Sequence, residues 1–170
     1  MNTNTIITNK KMKQKLPILM LLCALCACSS SEDSTGDNPK DMTDPVISGE
    51  GITANPIDCQ VYRRGELIPF NYVFTDNVEL GAFNIEIHDN FDHHTHGTTS
   101  VDCELEPDKS PVAPWRYNRD FEIPQGSKSY TARIDIPIPA DVDAGDYHFM
   151  VRLTDRSGRQ TLHAVAIKLQ

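Results

Sequence analysis

The chain of 170 residues carries 16 Lys and Arg against 24 Asp and Glu, a formal net charge of −8. Such an acidic surface repels nucleic acid and anionic lipid, which excludes charge-driven binding to either. The sequence holds no G-x-S-x-G elbow, phosphate-binding glycine loop, H-E-x-x-H helix or paired catalytic cysteine and histidine, so it is read as non-enzymatic.

Lys10, Lys11, Lys13 and Lys15 precede an almost wholly apolar run over residues 16–27. About a dozen residues is too short for a membrane-spanning helix, which needs ~20, and fits the apolar core of a secretory signal. Residues 1–27 are therefore expected to be a signal peptide, and Met12 offers an alternative start. At its end Leu25-Cys26-Ala27-Cys28 resembles a lipobox. The resemblance implies that Cys28 carries diacylglycerol and becomes the first mature residue; the alternative is an ordinary secretory signal with a cysteine by chance. Several acyl chains would make the anchorage effectively permanent. Ser29-Ser30-Ser31-Glu32-Asp33 then resembles the export tract of Bacteroidetes surface lipoproteins. It implies an outer-membrane location, on the cell surface or the periplasmic face. A plain acidic linker is the other reading.

Without the four leader lysines, 12 basic residues face 24 acidic ones. Residues 28–43 are mostly Ser, Asp, Gly, Asn, Pro and Lys without apolar periodicity and are expected to form a disordered, lipid-anchored tether. Residues 44–170 are one domain's worth of chain. Of the five cysteines, Cys23 and Cys26 leave with the signal and Cys28 takes lipid. That leaves Cys59 and Cys103 in an oxidising compartment, where a disulfide between them is expected; two buried thiols are the alternative.

Beyond residue 44 no sustained helical period occurs, whereas period-two alternation recurs between turn signals. Strands are predicted over 67–74, over 80–88 with Phe83, Ile85 and Ile87 on one face, and over 129–138 with Ile134, Ile136 and Ile138 alternating. Residues 147–153 should point Tyr147, Phe149, Val151 and Leu153 inward, and Asp155-Arg156-Ser157-Gly158 should turn the chain into a strand over 161–169. Weaker strands are predicted over 46–53, 59–63 and 115–123. An all-β sandwich follows. Ile136-Pro137-Ile138-Pro139, Ala144-Gly145-Asp146-Tyr147 and Leu153-Thr154-Asp155-Arg156-Ser157-Gly158 resemble the closing strands of bacterial immunoglobulin-like modules, and Asp76-Asn77 fits their B to C turn. That resemblance implies an immunoglobulin-like β-sandwich of about seven strands.

Four of the six histidines fall within His88-Asp89-Asn90-Phe91-Asp92-His93-His94-Thr95-His96. Imidazole is a common ligand of Zn²⁺ and Cu²⁺, and His94 and His96 in an H-x-H pair would share one side of an extended segment. If strands 80–88 and 147–153 are antiparallel neighbours, His88 and His148 meet on their outward face at the rim from which His93, His94 and His96 emerge. Asp92 or Asp89 would add an oxygen. His163 should lie opposite Val151, about 10 Å or more from His148. The competing reading is a solvated loop whose histidines cap turns. Glu66, Glu104 and Glu106 show no partner in the sequence, and Trp115 with Tyr117 is either core or a sugar-stacking platform, with core the safer assignment.

The lipobox, the acidic tether, Asp76-Asn77-Val78-Glu79-Leu80, Ile85-Glu86-Ile87-His88 and Phe91-Asp92-His93-His94 together resemble a Bacteroidetes lipoprotein family known as domain of unknown function 4625. This implies an extracytoplasmic lipoprotein without an assigned activity. Two functions are carried forward. The first is a rim loop that binds Zn²⁺ or Cu²⁺ through His88, Asp92, His93, His94, His96 and His148, in the service of an outer-membrane protein partner. The alternative is an interaction module that contacts protein or glycan.

Overall fold

A computed structural model describes residues 40–95 and 103–170, all within one compact unit. Eight strands follow in order: β1 (Val46–Ser48), β2 (Gln60–Tyr62), β3 (Leu67–Thr75), β4 (Leu80–Asp89), β5 (Tyr117–Glu122), β6 (Ser129–Pro137), β7 (Gly145–Asp155) and β8 (Gln160–Leu169). They form two sheets, β1-β3-β6 and β2-β8-β7-β4-β5. The described residues contain no helix long and apolar enough to cross a membrane.

Period two makes the sandwich. Along β3, Ile68, Phe70, Tyr72 and Phe74 are buried, and along β4 Phe83, Ile85 and Ile87 answer them from the other sheet. Tyr147, Phe149, Val151 and Leu153 of β7 are buried as their alternation requires, with Val165, Ile167 and Leu169 of β8 beside them. Phe70 stacks on Phe83 at 6.2 Å and on Phe149 at 5.8 Å, so the sheets join through aromatic contacts that add to area burial. Trp115 is core at 5% exposure, which removes it as a sugar-stacking platform.

Three features depart from the expected elements. The strand expected over 46–53 stops at Ser48, because Ile52 N–H donates to Gly49 O and closes a turn through Gly51 at φ 73°. β2 pairs with β8 in parallel, a long-range choice that no local pattern encodes. The β4–β7 register slips between Leu80 and Ala82. A Cβ on the intervening Gly81 would stand 2.8 Å from Thr154 O, so a side chain there would push the strands apart.

The outward face of β7 is not open at its first half. His148 and Met150 are both 7% exposed, which corrects the expectation of a solvated rim for His148. The connection between β4 and β5 packs on this end. Asn90 N–H donates to Asp146 O, and Phe91 meets Tyr147 edge-on at 5.3 Å. Cys59 and Cys103 form the expected disulfide, which ties that connection to the start of β2.

Candidate functional site

The antiparallel register of β4 and β7 sets His88 directly opposite His148. Their ring centres lie 5.4 Å apart, and the ring of His94 stands 5.5 Å from His88 and 5.1 Å from His148. Two residues of hydrogen-bonded strands and one from the following connection thus bring three imidazoles together. With metal–nitrogen bonds of ~2.1 Å, two imidazoles at a tetrahedral angle around one ion have ring centres ~5 Å apart. The observed spacing suits shared coordination.

Each imidazole also has an oxygen beside one ring nitrogen. Asp92 Oδ1 accepts from His94 Nδ1 at 2.5 Å, and this bond is the first cause holding the Asp92 carboxyl below the usual carboxylate range. His148 Nε2 donates to the backbone carbonyl of His94 at 3.0 Å. Glu86 Oε1 approaches His88 Nδ1 at 3.2 Å as a charge partner, without the alignment of a hydrogen bond. The hydrogen bonds to His94 and His148 favour the proton on the bonded nitrogen and leave the lone pair on the other. Asp92 is thus held against His94 by one carboxylate oxygen. Asp89 faces Arg116 at 3.4 Å instead of the ring cluster.

His93 leaves the group despite its place in the sequence. Its Nδ1 lies 2.7 Å from Asp108 Oδ1 and its Nε2 2.9 Å from the Glu106 carbonyl, so both nitrogens hold the far arm of the connection. A backbone φ of 55° turns this residue out of the path of its neighbours. His163 is opposite Val151, as expected, and bonds the Tyr72 hydroxyl at 3.0 Å. Glu106 is not isolated, since its carboxylate pairs with Lys168 at 3.0 Å. His96, Cys28 and residues 1–39 lie outside the described residues.

Among the described residues, the donor atoms that all lie within 4.8 Å of one another belong to Asp41, Asp76 and Asp155. The imidazoles are not in that group, so closing them on one ion takes rotation of their rings. Sequence reading placed Asp41 in the tether and the other two in turns.

The chain resembles a solved structure of the GspB Siglec domain, at 18% identity and a TM-score of 0.40. The match covers 76% of this chain and 59% of the other, so the chain spans about three-fifths of that structure's length. No curated protein matches. The family described as domain of unknown function (DUF4625) matches residues 26–170, and the chain belongs to that family.

Proposed function

We propose that this chain is a non-enzymatic binding module, held at the outer membrane by lipid on Cys28, whose rim takes up Zn²⁺ or Cu²⁺. The observation that carries the reading is the convergence of His88, His94 and His148 within 5.1–5.5 Å, each with an oxygen beside one ring nitrogen. Nitrogen donors favour first-row transition metals over Ca²⁺ or Mg²⁺. The ring nitrogens must be unprotonated to bind, so affinity should fall as the solution is acidified through the histidine range.

Calorimetric titration of the detergent-solubilised full chain with Zn²⁺ and Cu²⁺ tests this. His94→Ala and His148→Ala should each weaken binding by tenfold or more. Equal affinity in all three proteins removes the site.

A second reading, contact with protein or glycan, rests on the outward face of β4, β5 and β7. A shallow cleft of about 470 Å³ there is lined by Asn84, Glu86, Asn118, Asp120 and Arg152 among others. Asn84 Nδ2 bridges Asn118 Oδ1 at 2.7 Å and Asp120 Oδ1 at 2.8 Å, so the polar groups are held in fixed directions. Partner retention that survives chelation and is lost in Asp120→Ala would favour this face over the histidines.

A further inference from the structure

The alternation that points Phe149 and Val151 of β7 inward directs Met150 outward, onto the face that carries His148. The neighbouring outward positions are polar: Asn84, Glu86 and His88 on β4, and Arg152 on β7. Met150 is nevertheless buried to the same extent as His148, whereas Arg152, next outward along the strand, is exposed. A long apolar side chain is thus sheltered beside the imidazoles on a face otherwise built of polar groups.

The register places it within reach of them. Met150 stands opposite Glu86, and His148 opposite His88, so Met150 is two residues from His148 along its own strand and diagonal to His88 across the pair. Both separations are about 7 Å between backbones, a distance that a long side chain spans. Methionine has three rotatable bonds with which to do so. On the other flank β8 sets Ala164 against Met150 and Ala166 against His148, so only methyl groups stand beside the pair there.

We infer that the rim is a cuprous site, in which the thioether of Met150 joins the imidazoles of His88, His94 and His148. This rests on the reading of the rim as a metal site and names its ion. Three imidazoles suit either zinc or copper. A thioether is a soft donor suited to Cu⁺, whereas the usual ligands of Zn²⁺ are thiolate, imidazole and carboxylate, so Met150 is the residue that discriminates between the two. His94 is the open side of the group, its side chain 37% exposed against 14% for His88. The ion enters past His94, and Met150 closes the sheltered side.

The test uses the detergent-solubilised full chain with its free thiols alkylated and no reductant added, so that cysteine thiolates are blocked and the Cys59–Cys103 disulfide stays closed. Cu⁺, kept under nitrogen as its acetonitrile complex, is titrated against a chromophoric Cu⁺ chelator, and Zn²⁺ is titrated by calorimetry. Met150→Leu keeps the volume and the apolar character, a swap that packed sites tolerate. It should lose tenfold or more in Cu⁺ affinity and stay within about twofold of the parent for Zn²⁺. The copper X-ray absorption spectrum of the parent should show a sulfur neighbour that Met150→Leu lacks. A parent spectrum with nitrogen and oxygen neighbours alone, which needs no variant to read, overturns the inference. Equal Cu⁺ affinity in the two proteins, or an equal loss for both metals, does the same. In each of those cases a fall in Zn²⁺ affinity in His148→Ala leaves the rim standing as a metal site. Unchanged affinity of His148→Ala for both metals removes the rim, and this inference with it.

Discussion

Tyr147 shows how much one hydroxyl can organise. Its ring is fully buried, its O–H donates to Asp143 O at 2.8 Å, and the same oxygen accepts Trp115 N–H at 3.2 Å. Burial pushes the phenol above its ordinary value of 10.0, so it stays a neutral donor. Tyr147→Phe would leave a carbonyl and an amide without this partner, and we expect a loss of about 1–3 kcal/mol in urea unfolding. Unchanged stability would show that the corner is held by packing alone. Gly145, two residues earlier, is equally constrained. At φ 124°, a Cβ there would meet the Phe91 ring at 3.0 Å. The aromatic pattern of β7 announced Tyr147 as core, but its two backbone partners lie in loops that carry no periodic signal. His93 makes the same point in reverse, since adjacency to His94 suggested a shared role and local backbone geometry separated them.

At the scale of elements, the long strands were readable because each buries one face, and a sequence period of two follows directly from that. β3, β4, β6, β7 and β8 begin and end within two residues of their expected limits. β1 and β2 have three residues each, too few to establish a period, and their partners were not legible. The disulfide is the strongest covalent link between elements, joining positions 44 apart in the sequence. Constraint of the unfolded chain by a loop of that length is worth about 4 kcal/mol, and measured effects fall at or below this. We therefore expect reduction, or Cys59→Ser with Cys103→Ser, to cost about 2–4 kcal/mol in denaturant unfolding. Insensitivity to reductant would mean that the connection between β4 and β5 is held by its backbone contacts alone.

The molecule as a whole should respond to acid through a histidine outside the rim cluster. His163 sits between the sheets against Tyr72, whose hydroxyl donates to Pro56 O at 2.5 Å. Desolvation is the larger influence and lowers its pKa from the ordinary 6.5, with Asp58 acting in the opposite sense. The unfolded chain therefore binds a proton that the folded chain refuses. Its contribution is complete above pH 6.5 and is lost as pH falls from there to the lowered folded value, below which it changes no further. His163→Gln should flatten the loss of stability as pH falls below 6.5 in denaturant titrations. Parallel slopes for the two proteins would assign the acid response to other groups. Because this site is on the inner side of β8 and the rim cluster is on the outer side of β7, metal bound at the rim should leave the effect in place.

The sequence by itself determined the fold class, the five long strands, the pairing of Cys59 with Cys103 and the facing positions of His88 and His148. The strands follow from alternation, the disulfide from the two cysteines left beyond residue 28, and the histidine pair from the strand order that the immunoglobulin-like resemblance implies. Only the tertiary structure decided that His94 joins those two while His93 turns to Asp108, that the rim is covered, and that Asp41, Asp76 and Asp155 gather at the other end. Those outcomes depend on how loops fold back on a finished sandwich, and loops obey hydrogen-bond geometry and contact across the whole chain, not any period along it.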